Sequence, residues 1–174
     1  STYSVVRNDL YVSSSGSDTT GYGTKTKPYA TIPKAYSSAA TTSTINIMSD
    51  LNVSSPINFN ENKNITLTSY STTNTVNTAK KAKAVNSVLL TVSAGALNLY
   101  NIVIHGNGIA DPGGLIEITN EATFSANSGV TIRNAVSTYL YGGAIRSVGY
   151  KRSIVIDGAT LINNKAPGGG AIHA

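Results

Sequence analysis

The chain has 174 residues, which is enough for one domain with a hydrophobic core and too short for two full domains. Charged residues make up only 12% of the chain, and its 13 Lys and Arg against 8 Asp and Glu give a net charge of +5, which excludes a protein built from charged amphipathic helices. The chain has no cysteine, which excludes a disulfide framework and a cysteine-ligated zinc site, and no apolar run approaches the roughly 20 residues that span a bilayer.

The N-terminal segment, residues 1–44, combines a short strand, a polar loop and a helix. The strand is predicted at Tyr11 and Val12, and the helix from Ile32 to Ala40. Thr31 is the expected N-cap, and Pro33 falls in the first turn, where its missing N–H does no harm. The helix is predicted because apolar residues recur on one face, at Ile32, Ala35, Tyr36 and Ala39.

Short apolar runs after this helix predict strands. They lie at Ile45–Met48, Leu51–Val53, Ile57–Phe59 and Ile65–Thr68.

The stretch from Tyr70 to Ser87 has no strand pattern and is predicted to be a long basic loop with Lys80, Lys81 and Lys83. Two interpretations stay open: a solvated insertion, or a surface that attracts anionic glycans, lipid headgroups or nucleic acid. Because no aromatic residues are interleaved with the lysines, the pattern favours the solvated loop, and we predict no nucleic-acid partner.

Glycine pairs mark a repeat in the second half of the chain. The strings GGLIEI, GGAIRS and GGAIHA begin at Gly113, Gly142 and Gly169, at nearly equal spacings. A fainter copy, NSVLLT, begins at Asn86, at a similar spacing before the first of them. Short strands that recur with a period of roughly 30 residues, with almost no helical pattern, indicate a solenoid in which each repeat is one coil.

A second segment of eleven residues repeats in step with the first. Its copies are LNLYNIVIHGN, FSANSGVTIRN and IVIDGATLINN, and they end at Asn107, Asn134 and Asn164. Identical residues at one turn of successive coils can stack, so these three asparagines are predicted to form a ladder along the axis.

The fold class predicted from these repeats is all-β: a right-handed parallel β-helix (solenoid) of about five coils with a short N-terminal capping helix. We expect one domain over residues 1–174, with the cap in residues 1–44 and the coils in residues 45–174. Because an open solenoid end invites aggregation, the early helix is assigned to cover it. The last string opens a coil and stops one strand into it, so we expect the chain to be a fragment of a longer protein.

The opening stretch, YVSSSGSDTTGYGTKTKPYATIPKAYSSA, resembles the start of right-handed parallel β-helix proteins of the pectate-lyase-like superfamily. The later LINNKAPGGGAI is similar to the paired FxxN and GGA(I/L/V) motifs of polymorphic outer-membrane and adhesin-like surface proteins, although Leu161 replaces Phe in the FxxN half. The resemblance implies a β-helix, which in these proteins serves lyases, hydrolases, tailspikes and adhesins alike. The first match is carried by Tyr11, Val12, Gly16, Asp18, Gly23, Thr24, Pro28, Tyr29, Ala30, Thr31 and Ile32.

Strand alternation predicts one outward-facing set of functional residues. If Ile116, Ile145 and Ile172 point inward, the next residues point outward in one line across the coils. These residues are Glu117, Arg146 and His173. One interpretation is a ligand-binding strip in which Arg and Glu hold a sugar, and the other is an exposed ion pair beside an uninvolved histidine.

The remaining acids do not predict a catalytic pair. Asp111, Glu121 and Asp157 fall in turn sequences, and an acid-poor repeat argues against a calcium-dependent lyase. His105 and His173 lack metal-ligand spacing, so no metal and no cofactor are predicted. We therefore expect a non-enzymatic, adhesin-like extracellular or cell-surface module that binds a glycan or protein or acts as a rigid stalk. The alternative is the N-terminal part of a polysaccharide lyase or glycoside hydrolase with the same fold.

Overall fold

The computed structural model describes residues 6–83, 85, 87–139, 141–151 and 153–174. The first elements are β1 (Arg7–Val12) and α1 (Ile32–Ser38).

Five coils follow. The first contains β2 (Ala39–Ile47), β3 (Leu51–Val53) and β4 (Ile57–Phe59), and the second contains β5 (Asn64–Ser69), β6 (Thr78–Lys81) and β7 (Leu90–Val92). The third contains β8 (Ala96–Tyr100), β9 (Val103–His105), β10 (Ala110–Asp111) and β11 (Ile116–Thr119). The fourth contains β12 (Thr123–Ala126), β13 (Thr131–Arg133), β14 (Val136–Ser137) and β15 (Ile145–Val148), and the fifth contains β16 (Ser153–Ile156), β17 (Thr160–Ile162) and β18 (Ile172–His173).

Three parallel sheets run along the axis of the coils. Sheet A is formed by β1, β2, β5, β8, β12 and β16, sheet B by β3, β6, β9, β13 and β17, and sheet C by β4, β7, β11, β15 and β18. A short two-stranded ladder joins β10 to β14. Because each coil contributes one strand to each sheet, and β1 adds a sixth strand to sheet A, the chain is a parallel β-solenoid of about six turns. The predicted all-β parallel β-helix with one short helix is confirmed.

The core is a set of aliphatic stacks between the three sheets. Ile45, Leu67 and Leu99 are register partners on successive strands of sheet A, and all three are fully buried. Ile116 and Ile145 stack in the same way in sheet C. Fully burying a side chain of this size contributes roughly 1.5–3 kcal/mol, so each stack stabilises the coils that it joins. The stacks also fix which side chains face outward, because strand residues alternate between the two faces.

The capping helix is held by the polar loop that precedes it. Thr31 is the N-cap, and its hydroxyl accepts a hydrogen bond from the Lys34 N–H. The Asp18 carboxylate accepts the main-chain N–H of Ala30 at 2.8 Å and the hydroxyl of Thr31 at 2.7 Å. The apolar face of α1 packs on β1, β2 and β4. The helix ends at Ser38, two residues before the predicted end, because Ala39 begins β2.

Strand β6 corrects the prediction of a loop from Tyr70 to Ser87. Thr78–Lys81 pairs with β3 on one side and with β9 on the other. The sequence pattern missed it because one of its two inward-facing positions is a lysine. Lys81 is buried at 1% exposure and forms an ion pair with Asp111, which is also buried and lies in β10 rather than in a turn.

Strand register also differs from the repeat alignment in one place. The alignment of NSVLLT with GGLIEI matches Leu89 with Ile116, but Ile116 pairs with Leu90. The turn that leads into β7 therefore contains one residue more than the alignment allows. The alignment of the GGLIEI, GGAIRS and GGAIHA strings agrees with the register of β11, β15 and β18.

Candidate functional site

The first candidate site lies on the outer face of sheet C. Glu117, Arg146 and His173 are register partners on β11, β15 and β18, so the structure brings the three predicted residues together. The same line continues through Thr91 on β7 and Asn58 on β4. Successive members are about 4.8 Å apart along the strand-pairing direction. We call these five residues the sheet C column.

Opposite charges meet in the middle of the sheet C column. Arg146 Nη2 donates a hydrogen bond to Glu117 Oε2, and the two side chains are 20% and 18% exposed. Pairs that are still reached by solvent contribute at most about 1 kcal/mol, so this ion pair orders the two side chains more than it stabilises the fold. Arg146 Nε has no hydrogen-bond partner among the described residues.

An aromatic surface borders the column beside His173. The ring of Tyr141 stacks on the His173 imidazole, with 5.0 Å between centroids and 21° between planes. Tyr141 also lies against Gly168, where an added Cβ would come within 2.3 Å of the tyrosine ring. Tyr141 is still 55% exposed and Tyr139 is 79% exposed. One end of the column therefore offers a flat, accessible ring next to hydrogen-bonding groups.

A second line of side chains occupies the outer face of sheet B. Lys80, His105 and Arg133 are register partners on β6, β9 and β13, with Asn52 on β3 and Ile162 on β17 at the ends of the line. We call these five residues the sheet B column. Sequence reasoning missed it because the pattern assigns Lys80 to a loop. The sequence offers one signal for this column: the strand triplets VIH and TIR each end in an outward-facing histidine or arginine.

The three lysines predicted as a basic loop are separated by the fold. Lys80 faces outward in the sheet B column, Lys81 is buried against Asp111, and Lys83 is exposed in the turn after β6. Lys81 is therefore not available to an external ligand. The physical reason is strand alternation, which sends neighbouring residues of β6 to opposite faces.

His105 is held in one orientation between two coils. Its Nδ1 accepts a hydrogen bond of 2.8 Å from the Asn107 N–H, and its Nε2 lies 3.1 Å from the side-chain amide nitrogen of Asn134. Burial lowers the pKa of His105, and the nearby positive charges of Arg133 and Lys80 lower it further. Because Nδ1 is an acceptor, the neutral ring carries its proton on Nε2, and the Asn134 side chain accepts this N–H when its amide presents Oδ1 rather than Nδ2 to the ring.

The three asparagines predicted as a ladder each bond to a neighbouring coil. Asn107 Nδ2 donates to the Lys81 carbonyl at 3.2 Å, Asn134 faces His105, and Asn164 Nδ2 donates to the Ile132 carbonyl at 3.0 Å. Their partners are main-chain atoms and an imidazole rather than one another.

The asparagines also do not share one register position. Strands β9 and β13 pair Val103 with Thr131, and continuing this register places Asn107 opposite Ala135 rather than Asn134. The preceding strands pair Leu99 with Ala126. The bend between sheets A and B therefore uses one residue more in the fourth coil than in the third.

The remaining acids are dispersed over the described surface. Glu121 pairs with Lys151 at 3.5 Å, and both side chains are exposed. Across residues 6–83, 85, 87–139, 141–151 and 153–174, no three His, Cys, Asp or Glu side chains form a group that could hold a metal ion. No helix in this part of the chain is long and apolar enough to cross a membrane.

Comparisons of the chain with protein-family models, with curated proteins and with solved structures found no match. We therefore infer function from the geometry of the two columns.

Proposed function

We propose that this chain is a non-enzymatic, adhesin-like module of an extracellular or cell-surface protein, and that it binds a glycan through the sheet C column. The observation that carries the proposal is the exposed Tyr141 ring stacked on His173, at the end of a line of polar side chains. The sequence resemblance to adhesin-like proteins of the pectate-lyase-like superfamily supports the same function.

The chemistry of a sugar suits this arrangement. The C–H face of a sugar ring packs on an aromatic ring, and Tyr141 offers such a face while its hydroxyl stays polar. Glu117 and Arg146 supply an acceptor and a donor next to it, and Thr91 and Asn58 extend the line with neutral hydrogen-bonding groups. Five strands place these groups over about 19 Å, which is long enough for several sugar units of an extended chain.

Rigidity favours binding by this surface. The inward neighbours of Glu117 and Arg146, Ile116 and Ile145, are fully buried in the core, so β11 and β15 are fixed before a ligand arrives. Ile172, the inward neighbour of His173, is partly buried and packs against the same core. A ligand that meets a preorganised surface loses less free energy to ordering of the protein.

The test is a ¹H–¹⁵N and ¹H–¹³C NMR titration of the whole chain with a panel of neutral and acidic oligosaccharides. We expect at least one of them to shift the resonances of Glu117, Arg146, His173 and Tyr141. Tyr141→Ala should abolish those shifts, whereas Tyr150→Ala should not, because Tyr150 is 88% exposed but lies in the turn after β15.

A panel that perturbs none of the four residues would overturn the proposal. So would shifts that survive Tyr141→Ala unchanged, because binding would then occur elsewhere on the surface.

A further inference from the structure

The sheet B column differs from the sheet C column in its charges. In sheet B, two cations and a histidine occupy successive strands, with Lys80 on β6, His105 on β9 and Arg133 on β13. Lys80 and Arg133 are separated by the strand that carries His105, so they repel each other less than like charges on adjacent strands would. The ion pairs found among the described residues include neither Lys80 nor Arg133. Lys80 and Arg133 thus have no ion-pair partner among the described residues, and the nearest acid on this surface is Asp50, which lines the same depression as Lys80.

The middle member of the line stays uncharged at neutral pH. The pKa of His105 is lowered by burial and by the two flanking cations, and both of its ring nitrogens face amide groups of Asn107 and Asn134. Lys80 and Arg133 are therefore two strand steps apart, about 10 Å along the sheet, with a neutral ring between them. This spacing limits their mutual repulsion and leaves room for an anion above the imidazole.

Two further observations indicate a ligand rather than a solvated surface. Arg133 Nε is a buried donor without a partner among the described residues, as Arg146 Nε is in the sheet C column, and such a donor is costly unless an acceptor reaches it. An open depression of about 580 Å³ is lined by Lys80 and His105, together with Asn52, Thr78 and Asp50. Arg133 lies outside this lining, on the other side of His105. The acid at its edge, Asp50, has one carboxylate oxygen occupied by the Thr78 N–H at 2.7 Å.

The geometry points to an anion-binding site on sheet B, in which Lys80 and Arg133 hold an oxyanion substituent of an extracellular glycan over the face of His105. The group is a uronate carboxylate or a sulfate ester, since both present the oxygen acceptors that a guanidinium and an ammonium bind. This site lies on a different face from the sheet C column, so its anion binding does not depend on sugar binding there, whereas the extracellular origin of the glycan rests on the proposed function.

The test measures binding of three oligosaccharides of equal length to the whole chain by isothermal titration calorimetry at low salt. One is an oligogalacturonate, one is a sulfated glucan and one is a neutral glucan. We expect one of the two anionic probes to bind more tightly than the neutral one, and the stronger anionic probe identifies the substituent. Added salt should weaken the binding, because exposed charges are screened.

Matched double variants separate the site from general charge attraction. Lys80→Gln with Arg133→Gln should lower the affinity for the anionic probe about tenfold, which corresponds to two exposed charge contacts. Lys83→Gln with Lys165→Gln removes the same net charge at exposed positions outside the column and should change the affinity less than about twofold. Thermal melting of both variants checks that each is folded.

The pKa of His105 distinguishes an anion-binding column from one that is only structural. Binding of an anion beside the ring must raise its pKa, because the coupling between proton and anion is reciprocal. An NMR titration of His105 with and without the anionic probe should show this rise. Absence of binding by both anionic probes, or equal loss of affinity in the two double variants, would overturn the inference.

Discussion

Sheets B and C carry charge on their outer faces in opposite ways. In sheet C, Glu117 and Arg146 stack as a partly exposed ion pair, next to a histidine that packs on a tyrosine. In sheet B, Lys80 and Arg133 flank a neutral His105, and the described residues offer them no acid partner. The difference shows that a uniform β-helix scaffold can present a neutral hydrogen-bonding strip on one side and a cationic strip on another.

A third arrangement of charges, a buried ion pair, lies inside the coils. Lys81 and Asp111 form an ion pair between the second and third coils, with 1% and 2% of their side chains exposed. Asp111 also accepts the Gly113 N–H at 2.8 Å. Neighbouring lysines of one strand thus meet opposite conditions, since Lys80 faces solvent and Lys81 faces the core.

The largest expected effect comes from this buried pair. Lys81→Met leaves the Asp111 carboxylate without its partner and should lower the free energy of unfolding by about 3–5 kcal/mol, measured by urea denaturation. The double change with Asp111→Asn removes both charges and should restore part of that loss. Lys80→Met is the matched control, and we expect a change within about 0.5 kcal/mol for this exposed position. Equal losses for the two lysines would contradict the opposite orientations.

The next effect tests how tightly the coils stack where the chain enters sheet C. Gly114 has a φ of 79°, and an added Cβ would lie 2.5 Å from the Gly142 carbonyl oxygen of the next coil. Gly114→Ala should therefore cost roughly 2–4 kcal/mol, from the left-handed backbone and from displacement of the neighbouring coil. Gly108 has a φ of 66° with nothing within 4 Å of its added Cβ, so Gly108→Ala should cost only about 1–2 kcal/mol. The two melting curves measure the difference, and a larger loss at Gly108 would be inconsistent with the stacking.

A smaller effect converts the charge pattern of sheet C into that of sheet B. Glu117→Gln removes the partner of Arg146 and should lower stability by less than about 1 kcal/mol. It should also give sheet C a weak affinity for the anionic probes, since Arg146 is then uncompensated. Calorimetry in the Lys80→Gln, Arg133→Gln background isolates this new binding. If Glu117→Gln adds no anion affinity, an unpaired arginine is not what distinguishes the two faces.

The smallest effect is a pH dependence of stability through His105. The pKa of His105 is lower in the folded protein than in the unfolded chain, because burial and then Arg133 and Lys80 disfavour the imidazolium. Near the histidine pKa of about 6.5 in the unfolded chain, the unfolded chain thus binds more protons than the folded protein. The contribution of His105 to the free energy of unfolding is therefore complete above that pH and is lost as pH falls. Urea midpoints at pH 7.5 and 5.5 should differ, with the lower value at pH 5.5, and His105→Gln should reduce the difference. An unchanged difference in His105→Gln would assign it to other groups.

The sequence predicted best where turns were constant in length. The glycine pairs at Gly113, Gly142 and Gly169 precede β11, β15 and β18 at the same distance, so one alignment placed Glu117, Arg146 and His173 in one line. The register of sheet B was harder to predict, because the bends before β9 and β13 differ in length by one residue. This difference shifts every position after the bend.

Lys81 could not be predicted to face inward. A charged residue at a core position breaks the apolar alternation by which strands are recognised, and its partner Asp111 lies far along the chain in the next coil. Lys81 and Asp111 come together only through the stacking of the second coil on the third, which the sequence pattern does not specify. The sheet B column was missed for the same reason, since Lys80 belongs to the strand that the pattern did not reveal.

The central claim, that this chain binds glycans without cleaving them, is tested most directly by incubating it with the glycan panel and following reducing ends and uronate double-bond absorbance over time. We predict that at least one glycan is retained by the immobilised protein and that neither signal rises above that of a heat-inactivated sample. A time-dependent rise that disappears on heating would contradict the account and favour the lyase or hydrolase alternative.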